Sequence, residues 1–180
     1  IEEASKYGLA LSYFQNKNYK KANEINRQLL NDDPYNLFYI DLATDIAIEM
    51  ANLKEIIASL TSYEKRFLDN QVILLNLVIA LQKDKQYKIA EKKLELFLRS
   101  HPNHILAHKV AIDLYKKMKE KAKEYAIKAQ YLALQGRFRE ASQVMGSALV
   151  YTKSKLDQAR YTAKIEEFKM LDIRLKTLQK

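Results

Sequence analysis

Four residues return at one interval. Leu9, Tyr19, Ala22 and Pro34 are matched by Leu77, Tyr87, Ala90 and Pro102, each 68 positions further along the chain. That interval is twice 34, the length of one common helix–turn–helix repeat, so a complete unit is expected between the two copies. A repeat of this kind constrains the fold tightly. Each hairpin can bury its apolar face only against its neighbours, and three units suffice for a stable stack.

Composition agrees with helices throughout. The 180 residues include only three Gly and two Pro, while helix formers dominate, and 48% of the chain is apolar, enough for a substantial core. The absence of Cys excludes disulfides and thiolate metal sites but leaves the redox compartment open. No apolar run approaches the roughly 20 residues that span a bilayer, so direct membrane insertion is not expected. The first residue is Ile1 rather than Met, which points to a piece of a longer chain.

The first unit is expected at about residues 3–36. Leu9, Ala10 and Tyr13 lie on its first helix, Lys17 and Asn18 form the turn, and Tyr19, Ala22 and Leu29 lie on the second helix before Pro34 ends it. Small Ala10 and Ala22 suit close helix approach, with Tyr13 and Tyr19 filling the wider gaps. The second unit, about 37–70, has Leu68 where proline would close it, and its turn near Asn52 reads as shifted by one residue. The third, about 71–104, is regular, with Leu77, Tyr87, Ala90, Leu94, Phe97 and Pro102.

Residues 105–151 read as two irregular hairpins that share a helix. One helix carries Ala107, Val110, Ala111, Leu114 and Tyr115, and a second runs to Gln135, where Gly136 can take the left-handed conformation that ends it. A third carries Phe138, Ala141, Met145 and Ala148. Residues 154–180 form one long helix with apolar residues three or four apart, from Leu156 to Leu178. It is expected to cap the last hairpin; the sharper alternative has it project from Phe168 onward to dock another domain.

These units resemble tetratricopeptide repeats (TPR), which implies an all-α, right-handed solenoid of antiparallel hairpins in a single domain with a capping helix. The second half is more particular. The run from His101 to Ser154, with Leu134-Gln135-Gly136 at a turn and Gln158-Ala159-Arg160 opening the last helix, resembles the C-terminal TPR domain of the periplasmic β-barrel assembly-enhancing metalloproteases. The opening from Tyr7 to Ala22 resembles the first hairpin of that domain. The chain departs from the pattern at Leu68 and at His108, where a large aromatic is usual.

This resemblance implies a parent protein with an N-terminal HExxH zinc protease domain, exported to the periplasm, that promotes or polices outer-membrane β-barrel assembly. Zinc is then expected in the parent and no cofactor in this piece. The implied partners are the chain's own protease domain, the assembly machinery or unfolded barrel substrates.

Catalytic chemistry is not expected in these residues. His104 and His108 have the i, i+4 spacing of zinc-binding helices, but Ile105 stands where HExxH needs Glu, and solvated histidines at a repeat junction are the simpler reading. The isolated glycines make no phosphate-binding loop. Net charge is +9, and Lys116, Lys117, Lys119, Lys121 and Lys123 beside Tyr115 and Tyr125 could hold phosphates. Glu120 and Glu124 interrupt that cluster, so a wet connection is favoured and no nucleic acid is expected.

What remains is a concave face made by the first helix of each unit. The projected register gives Tyr7, Leu11 and Gln15, then Ile40, Thr44 and Ile48, then Leu75, Ile79 and Lys83, and last Lys109, Asp113 and Lys116. The Lys and Asn pairs with which some TPR domains clamp a terminal carboxylate are not at their expected positions. A protein-binding scaffold is therefore expected, and the alternative is a cytosolic TPR adaptor holding acidic peptides on its basic end.

Overall fold

The computed structural model describes residues 2–178. Among them are ten helices and no strand: α1 Glu2–Gln15, α2 Tyr19–Asp32, α3 Leu37–Glu49, α4 Leu53–Arg66, α5 Gln71–Lys83, α6 Tyr87–Ser100, α7 Ile105–Met118, α8 Lys121–Leu134, α9 Phe138–Tyr151 and α10 Lys155–Leu178. The chain divides into two compact units, Ile1–Lys93 and Leu94–Lys180, with the boundary inside α6. The last two residues of the expected capping helix, 179 and 180, lie outside the described residues.

The period is written into the backbone. Lys17, Ala51, Lys85 and Lys119, spaced by 34, all have φ near +60°. Each sits just past a helix end, where two amide bonds collect the helix's last carbonyls: Lys17 N–H to Phe14 O at 2.9 Å and Asn18 N–H to Tyr13 O at 2.8 Å, repeated at Ala51–Asn52, Lys85–Gln86 and Lys119–Glu120. This is the Schellman closure, which ordinarily favours glycine at the left-handed residue. The expected shift at Asn52 is therefore corrected. Its turn is in the same register as that of Lys17 and Asn18, with Ala51 in the left-handed place that Lys17, Lys85 and Lys119 hold in the other repeats.

Gly136, with φ +75°, closes α8 in the same way through Gly136 N–H to Ala133 O and Arg137 N–H to Leu132 O. The left-handed glycine expected there is thus found. The opposite ends are also periodic: Asn36 accepts from Phe38 N–H, Asn70 from Val72 and Ile73 N–H, and the His104 Nδ1 from Ala107 N–H. Each side chain satisfies amides that the first helical turn leaves without partners.

In unit 1 the small residues do what their spacing suggested. Ala10 and Ala22 are fully buried and pack with Leu42 and Ile46, with Tyr7, Tyr13 and Ile25 around them. Ala90, 68 residues after Ala22, is also fully buried. Leu77 is buried, whereas its counterpart Leu9 is half exposed.

Unit 2 gathers Ala129, Ala141, Met145, Ala148 and Phe168 into one core, joining α8, α9 and α10, with Tyr161, Ile165 and Leu171 against it. Leu156 and Ala159 at the start of α10 are exposed. Its apolar spacing thus continues past the stretch that is covered.

Candidate protein-binding face

In unit 1, α1, α3 and α5 form one layer. Tyr7 meets Phe38 and Tyr39 at ring distances of 6.2 and 5.5 Å, and Asn76 reaches Asp41 at 2.9 Å. The expected face residues divide by burial. Ile40, Thr44 and Leu75 are buried, Tyr7, Leu11, Ile48 and Ile79 are half-buried, and Gln15 and Lys83 are exposed.

Because the second turn is not shifted, the positions equivalent to Tyr7, Leu11 and Gln15 are Asp41, Asp45 and Glu49 rather than Ile40, Thr44 and Ile48. All three acids are exposed. Thr44 instead stands 34 residues after Ala10 and 34 before Val78, the close-contact position at which all three are at most 1% exposed. Its hydroxyl bonds back to Ile40 O at 2.9 Å. Leu75 has the right register but is covered by its neighbours in the core.

The face of α3 is therefore an acidic stripe one residue away from the apolar one read from the sequence. Partial desolvation first, and then the carboxylates of Asp41 and Glu49, lift the Asp45 carboxyl above the usual carboxylate range. Burial first, and then Asp41 and Asp45, likewise raise the phenol of Tyr7. Like charges on successive turns of one helix repel, so the stripe favours any neighbour that brings positive charge or hydrogen-bond donors.

In unit 2, Lys109, Asp113 and Lys116 are exposed on α7. Lys117 bonds Asp113 at 2.6 Å, and Lys109 lies 5.9 Å from the Tyr131 ring centre. The basic cluster is largely engaged within the unit. Lys123 stands 5.4 Å over Tyr115 and 3.5 Å from Glu95, and Lys121 lies 5.0 Å over Tyr151, whose ring stacks on Tyr125. A cleft of about 560 Å³ opens beside α10, lined by Lys123, Gln130, Arg160 and Lys164 together with Glu95 and Glu167.

The histidines need one correction. His108 is buried rather than solvated, with its Nδ1 3.0 Å from His104 O, while His101 stacks on Phe97 at 4.4 Å. Among the described residues no group of three or more His, Cys, Asp or Glu side chains is placed to hold a metal ion, and no helix is long and apolar enough to cross a membrane.

One residue was missed altogether. Asn26 precedes Leu60 and Leu94 by 34 and 68 positions, and where those leucines fill the interior it places an amide. The register itself carried that signal.

The fold is that of the TPR proteins. A crystal structure of a tetratricopeptide repeat protein from Parabacteroides merdae covers 93% of this chain and 70% of its own with a TM-score of 0.59 at 14% identity. A thermophilic TPR protein of Thermus thermophilus covers 91% and 98% with a TM-score of 0.62 at 17% identity.

In sequence, the chain is similar to the beta-barrel assembly-enhancing protease of Yersinia pestis, 30% identical over 178 residues, and the expected resemblance is borne out. The alignment takes in 98% of this chain and 37% of that relative's length. No family model matches.

Proposed function

We propose that the chain is a polypeptide-binding scaffold: the C-terminal TPR region of a longer zinc metalloendopeptidase that acts in outer-membrane β-barrel assembly and quality control in the periplasm. Similarity along 98% of the chain to a protease named for β-barrel assembly carries this reading. The exposed layer of unit 1 agrees with it, because Asp41, Asp45 and Glu49 beside the half-buried Tyr7 and Leu11 offer charge and apolar surface together. Catalysis and its zinc belong to the parent's HExxH domain, and this piece contributes binding alone.

The partners of this reading are the parent's protease domain and the assembly machinery or its unfolded barrel substrates. Those that carry Lys or Arg are drawn to the acidic stripe. The rival adaptor for acidic peptides would use the lysines on α7 and α8, of which Lys117, Lys121 and Lys123 contact Asp113, Tyr151 and Tyr115 within unit 2 while Lys116 is exposed.

Two measurements test the proposal. The reading frame upstream of Ile1 should encode an export signal and HExxH. Capture from envelope extracts should recover outer-membrane assembly proteins, and Asp45→Lys should weaken that capture. Recovery of cytosolic proteins alone, or an upstream frame without a protease, would discard it.

A further inference from the structure

A pocket of about 160 Å³ opens in unit 1 between α2 and α4, with α3 beneath it. Its origin lies in the repeat. At the position where α4 and α6 bury Leu60 and Leu94, α2 carries the shorter, polar Asn26. Asn26 is 1% exposed, and its Nδ2 donates to Tyr39 O at 2.9 Å. Its Oδ1 is buried and accepts from no protein group. A buried acceptor without a partner is costly, and natural proteins leave few of them.

The rest of the lining narrows what would complete the site. Leu30, Ala43, Ala47 and Ile56 provide apolar walls. At the rim, both Glu55 oxygens are already engaged, Oε1 by Arg27 at 3.1 Å and Oε2 by Asn52 at 2.6 Å. The rim charges thus satisfy each other, and a charged occupant would find no counter-ion waiting. The occupant that fits is apolar in body, neutral, and tipped with a hydrogen-bond donor. A cavity of roughly 150 Å³ holds a benzene ring, so a phenol matches in size as well as chemistry.

We propose that the pocket beside Asn26 binds the side chain of a tyrosine presented by a partner polypeptide, with the phenol O–H donating to Asn26 Oδ1 and the ring lying against Leu30, Ala47 and Ile56. That the phenol belongs to a polypeptide rests on the scaffold reading; the fit of the pocket does not. Tyrosine is a common anchor at protein interfaces because it combines a rigid apolar ring with one polar tip.

The test uses the whole 180-residue chain and amide NMR. Titration with p-cresol should shift the side-chain amide of Asn26 and the backbone amides of Ala43 and Ala47. Toluene, which has the shape but no donor, should bind about threefold to tenfold more weakly, as one neutral hydrogen bond implies. Asn26→Leu, which restores the residue type of the next two repeats, should fold with a higher melting temperature and lose the p-cresol shifts. A short peptide with a single tyrosine should reproduce the p-cresol pattern, and its phenylalanine twin should be weaker by the same factor.

Equal affinity for toluene and p-cresol, or undiminished p-cresol shifts in Asn26→Leu, would overturn the site. So would a p-cresol-soaked crystal in which a water molecule keeps the Asn26 Oδ1. Binding of p-cresol without binding of the tyrosine peptide would overturn the polypeptide assignment. Envelope capture that fails while p-cresol still binds bears on the parent's role and leaves the pocket standing.

Discussion

The Nδ2 of Asn76 on α5 donates to Oδ1 of Asp41 on α3 at 2.9 Å, joining residues 35 positions apart. Asn76 is nearly buried, and Asp41 is exposed. The bond locks the first helices of neighbouring repeats at the edge of the acidic stripe. Removing the acceptor strands a buried donor, so Asp41→Ala should cost about 1 to 2 kcal/mol. Asp41→Asn keeps an acceptor oxygen at the same reach and removes the same charge, so urea denaturation should separate the two variants. Equal midpoints would mean that the bond contributes nothing.

Ala51 tests the turns. With φ +57° it sits where an L side chain crowds the following carbonyl, a cost of roughly 1 to 2 kcal/mol. Glycine removes that strain but loses more freedom on folding, which takes back roughly 0.5 to 1 kcal/mol. Ala51→Gly should therefore stabilise by about 0.5 to 1 kcal/mol and raise the melting temperature. A lower melting temperature would mean that the turn is not left-handed in solution.

The same turn explains what could and could not be read in advance. Helix pairs were legible because Leu, Ala and Tyr return at helical spacing, and Pro34, Gly136 and Pro102 marked ends. The second turn was not, since α3 is apolar on most of its faces and Leu68 stands where Pro34 and Pro102 mark the other repeats, and the one-residue slip moved the face from Asp41, Asp45 and Glu49 to Ile40, Thr44 and Ile48. Periodicity also treats Leu9 and Leu77 alike, although Leu77 is buried and Leu9 is half exposed. Asn26 escaped notice for a different reason. Apolar patterning tracks the residues that fill a core and passes over the place where one is missing.

Asp45 should make stability depend on pH. Its folded pKa is raised, so the folded chain binds this proton more tightly than the unfolded chain does. The ionised group therefore opposes folding at neutral pH. The penalty is relieved as pH falls through the raised folded value, and is gone below the unfolded one, about 3.9 for Asp. Asp45→Asn should melt higher than the parent at about pH 7.5, and the gap should close as pH approaches about 4. A gap that widened toward acid would show the shift has the opposite sign.

Ala90 carries the packing claim for the repeat. The residue is fully buried at the position where α6 repeats Ala22 of α2. A leucine there inserts three extra carbons into a filled contact, and overpacking of that order costs about 1 to 3 kcal/mol. Ala90→Leu should lower the melting temperature, while leucine at the half-exposed Tyr131 should matter much less. An unchanged melt for Ala90→Leu would mean that small side chains at this period do not set the spacing of the helices.

Phe168 is the one buried residue of α10 among the described residues. Its ring is 3% exposed and lies in the core with Met145 and Ala148, whereas Ile173 and Leu178, further along the same helix, are 59% and 85% exposed. Phe168→Ala removes a buried ring and should cost about 3 to 5 kcal/mol. Ile173→Ser removes little that the folded chain has buried, so it should change stability by no more than about 0.5 kcal/mol. Calorimetry on the two variants separates the covering part of the helix from the remainder. If Ile173→Ser proved as costly as Phe168→Ala, the covered stretch of α10 would extend beyond Leu171, and the apolar residues near its end would already have their partners within the chain.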